Sequence, residues 1–381
     1  MSLIQAQNIS RPARIRESNA EEVSEEQARY LLDLISGTRE FACSTLSGRG
    51  RTLYLPEPDL DLPALKVKGA GGLQSSSGEG LEFYSPQPNE HFVPEIKHIG
   101  LTPDLTFFHN HSKPKAYNSL RVEAAEMEFV AQTRLHISTI GFNALLWGEF
   151  LDERQNKEVD ANGYRTGFSV MRHDVLYRPL STILTNYGDS ESSLRVRKCH
   201  DTLDNDELDT HYDLVQRIGR IKRKMATHAG LGRHSSTADN FLYNQKSDHL
   251  VVSDTDTVVD YRTMETPMAY GSQFLRDAVC DLAKRVAELN FIQHSTAASA
   301  IVKEVALSFL TGLFDDSVRQ EDIRLAVEEL GIEHEKNFRE MKPEMFRAVY
   351  RLLLKSELRD VFTVQRIDSD TFYERAKDFF R

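Results

Sequence analysis

The sequence predicts an α+β protein of two lobes, a small mixed lobe of strands and one helix followed by a larger, mainly helical lobe. Three observations point there. Alternating or continuous apolar segments crowd the chain between residues 41 and 178, as strands do. From residue 204 onward the apolar positions mostly recur at three and four, the spacing of a helix face. With 381 residues, 40% apolar and 28% charged, the chain can bury a sizeable core in each lobe.

Residues 1–23 read as a polar N-terminal arm. Ser24-Glu25-Glu26-Gln27 is a capping box, and Leu31, Leu32 and Ile35 follow on one face of the helix it opens. Residues 41–69 alternate like a hairpin with its turn at Gly48-Arg49-Gly50, and LPALKVKG gives a short strand ending in Gly69. Residues 70–118 are rich in Gly, Ser and Pro and read as a long insertion with little regular structure. A helix is expected over 119–136, with Leu120, Ala124, Met127 and Ala131 on one face.

FNALLWGEFL is a buried strand in which Trp147 belongs to the core, and a polar hairpin connects it to FSVMRHDVLYR. The mixed lobe therefore spans 24–155 and the helical lobe 156–381. The latter opens with a helix over 204–229 carrying Leu214, Ile218, Ile221 and Met225. GLGRHSSTADNFLY and DHLVVSDTDTVVDY then give a loop and two short strands before the remaining helices.

The net charge of −11 argues against a nucleic-acid partner, since phosphate binding leaves a basic footprint. The three cysteines, Cys43, Cys199 and Cys280, match no zinc or redox spacing and suit a reducing cytoplasm. The first residues lack the apolar stretch of a secretory signal. No apolar run reaches the roughly 18 residues of a membrane span. A cytoplasmic protein with no membrane partner is expected.

Transfer from ATP needs a cation on the phosphates, metal ligands of hard oxygen type, and a carboxylate near the acceptor hydroxyl. The chain offers them in the order protein kinases use. Lys66 and Lys68 end a strand before Gly69-Ala70-Gly71-Gly72, and Lys68 is the better placed for phosphates. Gly48 and Gly50 are candidates to cover the nucleotide. The next helix carries Glu123, Glu126 and Glu128, any of which can pair with that lysine. Asp239 and Asn240 sit together in the loop as a candidate catalytic carboxylate and metal ligand. Asp254 ends the apolar strand HLVVS, as the metal-binding carboxylate of kinases ends its strand. Singly, each is an ordinary turn residue; their order and spacing give them weight.

Four of these stretches resemble selenoprotein O, a kinase-like family that transfers AMP from ATP to protein hydroxyls. They are LKVKGAG at 65–71, SLRVE at 119–123, SVMRHDVLYR at 169–178 and ATHAGLGRHSSTADN at 226–240. The resemblance implies a two-lobed kinase-like fold that uses ATP and Mg²⁺. It makes Glu123 the partner of Lys68, Arg172 a phosphate contact, Asp239 the base, and Asn240 and Asp254 the metal ligands. Residues 72–118 interrupt the family's pattern, Ala238 displaces its threonine, and no cysteine lies near residue 381. The acceptor is then a hydroxyl on a protein or a small molecule. The alternatives are γ-phosphoryl transfer and a nucleotide-binding pseudokinase scaffold.

Other features carry less. His109 and His111 lack further well-spaced metal ligands. Cys199-His200 are adjacent and poorly disposed for nucleophile and base. The basic run 217–224 fits a solvated helix face.

Overall fold

The structure is a computed structural model. It describes residues 3–5, 12–36, 38, 42–44, 52–55, 60–69, 72–76, 80–84, 96–101, 107–111, 120–151, 165–174, 176–180, 205–233, 240–263, 267–289, 297–330 and 342–361.

The first lobe contains β1 (Leu3–Gln5), β2 (Ala13–Ser18), α1 (Glu25–Ile35), β3 (Ala42–Ser44), β4 (Thr52–Leu55) and β5 (Leu65–Lys68). Next come β6 (Gly72–Ser76), β7 (Gly80–Tyr84), β8 (Ile96–Leu101), β9 (Phe107–His111), β10 (Leu120–Arg121), α2 (Val122–Ile137), β11 (Ala144–Phe150) and β12 (Thr166–Arg172). The main sheet runs β2-β11-β12-β5-β4, antiparallel throughout, with β10 beside β12. The expected capping box forms: Gln27 N donates to Ser24 Oγ at 3.2 Å and Ser24 N to Gln27 Oε1 at 3.0 Å.

Each face of the sheet is covered by one helix. Leu31, Leu34 and Ile35 of α1 bury Leu65, Val67, Phe168 and Val170 on one side. Ala125 and Phe129 of α2 bury Ala144 and Trp147 on the other. Because side chains alternate along a strand, Leu65 and Val67 face α1 while Lys66 and Lys68 face the opposite way. The interruption at 70–118 is more regular than expected, since it contains the hairpins β6–β7 and β8–β9.

The second lobe starts from β13 (Arg178–Pro179) and α3 (Asn205–Lys224), which runs into a π-helical turn, Met225–Ala229. Then follow β14 (Leu231–Gly232), β15 (Phe241–Asn244), β16 (His249–Val252) and β17 (Val259–Asp260). The helices α4 (Pro267–Leu289), α5 (Ala297–Phe314), α6 (Gln320–Glu329), α7 (Lys342–Lys355) and α8 (Leu358–Val361) complete it. Leu214, Ile218, Ile221 and Met225 are all buried in its core, with Phe309, Leu313 and Tyr350. Helices α3 and α5 cross at Gly219 and Gly312, where an added Cβ would strike the facing backbone.

Strands and one helix first, helices after, give the expected two-lobed α+β arrangement. Among the described residues no helix is long and apolar enough to cross a membrane.

Candidate active site

Lys68 closes β5, and its ammonium is buried between the lobes. It lies 2.9 Å from Glu128 Oε2 and 3.1 Å from Asp256 Oδ1, and it also bonds Asp254 Oδ1. Gly69 follows with φ +90°, turning the chain away where an added Cβ would meet the Gly167 carbonyl and Leu120. Left-handed backbone of this kind favours glycine. The strand therefore delivers the lysine and stops.

The lysine's helical partner is Glu128, not Glu123. The buried side of α2 is formed by Val122, Ala125, Glu128, Phe129, Ala131, Gln132 and Leu135. Glu123 lies five residues before Glu128, about 140° around the helix at 3.6 residues per turn. It is exposed and pairs with Arg165 at 3.3 Å. Of the positions expected on one face, Leu120 and Ala131 are buried but Ala124 and Met127 are only half-buried, because a carboxylate and an amide share the buried stripe.

Asp254 follows β16 in a left-handed conformation, φ 59° and ψ 56°. That kink aims its side chain at the cleft. Its second oxygen accepts from Arg233 Nη2 at 3.1 Å, and Arg233 Nη1 donates to Ser253 O at 2.8 Å. Asn240 precedes β15, and its carbonyl accepts from Ser253 N at 2.7 Å. Pairing of β15 with β16 thereby brings Asn240 beside Asp254. Asp239, Gly48 and Gly50 lie outside the described residues.

Arg172 is not in the cleft. It pairs with Leu65 across β12 and β5, so it shares the α1 side of the sheet and faces away from Lys68. Its guanidinium is exposed and holds Glu22 at 2.9 Å.

Gln132, one turn beyond Glu128, ties the two acidic segments together. Its Nε2 donates to Val252 O at 3.2 Å and to Thr255 Oγ1 at 3.1 Å, while its Oε1 accepts from Phe142 N at 2.8 Å. Thr255 stands between Asp254 and Asp256, so one buried amide spans α2 and the turn after β16.

Lys66 sits two residues before Lys68 on the same face, also buried, and donates to Ser253 Oγ at 2.8 Å. Burial, with Lys68 opposing the pull of the neighbouring carboxylates, lowers its pKa to about 8. Across the sheet Tyr54 pairs with Lys66, and burial pushes its phenol up to about 12. The Tyr54 ring packs on His173 at 4.7 Å. Burial, and then Lys66, drives that imidazole down to about 3, so it is neutral at pH 7.

Three cations, Lys66, Lys68 and Arg233, thus face three carboxylates, Glu128, Asp254 and Asp256. Among the described residues these carboxylates are the one group whose ligand atoms lie close enough together for a single cation. Arg233 and Gln132 escaped the sequence reading; nothing local distinguishes either from a surface residue. Asp256 escaped it too, although its spacing of two from Asp254 was a signal.

No family model matches the chain, and no curated protein does. Among solved structures it is similar to a divergent kinase that lacks the glycine-rich loop and regulates membrane ultrastructure of the Toxoplasma parasitophorous vacuole. That likeness has 12% identity over 69% of this chain and 74% of that one, with a TM-score of 0.26. It is also similar to the kinase domain of maize SIRK1, sucrose-induced receptor kinase 1, bound to AMP-PNP. There the identity is 11% over 97% of this chain and 94% of that one, with a TM-score of 0.29. Neither likeness bears on the chemistry of the site.

Proposed function

We propose that the chain is a divalent-metal-dependent transferase that moves the γ-phosphoryl group of a nucleoside triphosphate to a hydroxyl on a protein or small molecule. The observation that carries this is Lys68, buried between the lobes, held by Glu128 and facing Asp254. In that arrangement the lysine is pre-positioned for phosphate oxygens, and little else is asked of a phosphoryl-transfer site than positioning and charge.

The donors suit a hard cation. Glu128 Oε1 is buried with no hydrogen-bond partner among the described residues, and the Asp254 side chain is 36% exposed and reachable from the cleft. Asp254 and Asn240 would hold Mg²⁺, which supplies charge neutralisation on the phosphates. Glu128 and Asp256 hold Lys68 in place. Arg233 orients Asp254 through its second oxygen. Asp239 is assigned to the acceptor hydroxyl.

The resemblance to selenoprotein O implies AMP transfer instead. Arg172, the phosphate contact that resemblance assigns, lies on the far side of the sheet, and the remaining parts suffice for γ transfer. ATP labelled at the α or the γ phosphate separates the readings. Label transferred from γ to an acceptor is the expected result; label from α means AMP transfer. Transfer of neither, with ATP raising the melting temperature, means a nucleotide-binding scaffold.

A further inference from the structure

A line of buried polar contacts runs from the core of the helical lobe to Asp254. It starts at Asp281 on α4, whose carboxylate pairs with Lys222 of α3 at 2.6 Å. Lys222 Nζ donates to the Arg233 carbonyl at 3.1 Å. Arg233 in turn holds the Ser253 carbonyl and the second oxygen of Asp254. Lys222 lies within the basic run that reads as a solvated helix face, yet it is only 6% exposed. The path of the chain puts it there. After the π-helical turn Met225–Ala229, Gly230 takes φ +67° and turns the backbone, so that Arg233, eleven residues on, comes back against Lys222.

The same segment is held on a second side. Gly232 lies against the Tyr261 phenol, where an added Cβ would collide, and Tyr261 Oη donates to Asp277 Oδ2 at 2.7 Å. Asp277 and Asp281 stand four residues apart, on one face of α4, so a single helix anchors the segment from both sides. A buried ion pair adds little net stability over an apolar pair of similar volume, because desolvation offsets the attraction. What Lys222 and Asp281 supply is position: a fixed donor for the Arg233 peptide. We infer that Lys222, oriented by Asp281, is a positioning residue for the metal site, fixing Arg233 so that its guanidinium holds Asp254 ready for the cation. The inference rests on the reading of Asp254 as a metal ligand.

The test reads metal binding directly. Mn²⁺, a paramagnetic substitute for Mg²⁺, is titrated into the full chain with a non-hydrolysable ATP analogue, and free Mn²⁺ is followed by electron paramagnetic resonance. Lys222→Met combined with Asp281→Leu removes the pair without changing the net charge. Its urea midpoint should hold while Mn²⁺ affinity falls about tenfold, the low end of what the partners of metal ligands contribute. In an Arg233→Met background the same double change should move the affinity less than about twofold, since residues acting through one network are not additive. Leu353→Ala, which loosens the same core on α7, should leave the affinity unchanged. An affinity unmoved by the double change, or lowered equally with and without Arg233, overturns the inference and leaves the proposed function standing. An equal fall in Leu353→Ala assigns the effect to general stability and overturns it too. Should the double variant not fold, Asp281→Asn, which keeps the size and removes the charge that orients Lys222, takes its place with the same outcomes. If the unaltered chain binds no Mn²⁺ with the analogue, the metal-site reading falls, and the inference with it.

Discussion

Replacing Glu128 by Gln, side by side with Glu123→Gln, tests the assignment of the lysine's partner. Glu128→Gln keeps the volume and removes one charge from a pair at 2.9 Å whose side chains are 1% exposed or less. Removing one member of a buried pair costs about 3–5 kcal/mol. Lys68 keeps Asp254 and Asp256 within reach, so the loss should fall at or below the lower end, about 2–3 kcal/mol. Glu123 and Arg165 are exposed and 3.3 Å apart, and such pairs contribute about 0–1 kcal/mol. Urea unfolding, read as a shift in midpoint at constant slope, measures both. Transfer of labelled phosphate should fall about a hundredfold in Glu128→Gln, the effect of misplacing a positioning group by roughly an ångström, and stay level in Glu123→Gln. Equal losses in the two variants, or a larger loss in Glu123→Gln, would refute the assignment.

Three further perturbations address other links of the same argument. Gln132→Leu strips the bonds to Val252, Thr255 and Phe142 and strands a buried N–H. A loss of about 2–4 kcal/mol is expected, and in a double-mutant cycle it should be less than additive with Thr255→Val; strict additivity would mean the Gln132–Thr255 bond is energetically idle. His173 has a folded pKa of about 3 against an ordinary 6.5, so the unfolded chain binds more protons in that window and stability falls as pH drops through it. The linkage amounts to about 2 kcal/mol between pH 7.5 and 5, and His173→Phe should lose that much acid sensitivity in urea titrations; parallel pH profiles would contradict it. Gly69→Ala forces a side chain into left-handed backbone against the Gly167 carbonyl, so a destabilisation of at least about 2 kcal/mol is expected from strain and collision together, measured the same way.

Period and order were legible in the sequence. The Ser24 capping box, the buried strand around Trp147 and the apolar face of Leu214, Ile218, Ile221 and Met225 depend on neighbours a few residues away, and each formed where it was expected. Lys68 and Asp254 were legible for a similar reason: each ends a short apolar strand, and a strand's end is a local feature. The place of Asn240, just before the first of the two short strands, is equally local.

Tertiary structure decided what joins them. Which side of α2 is buried depends on what the sheet and the turn after β16 present to it, so the choice among Glu123, Glu126 and Glu128 was open until Glu128 met Lys68. The face of Arg172 depends on strand register, where a shift of one residue reverses every side chain; its pairing with Leu65 sends it to the α1 side. Arg233, Gln132 and the Lys66–Ser253 contact join residues 20, 120 and 187 positions apart. No local pattern encodes separations of that kind. By itself the sequence determined two lobes, the lysine and the acidic strand end; packing between the lobes decided how the lysine is held.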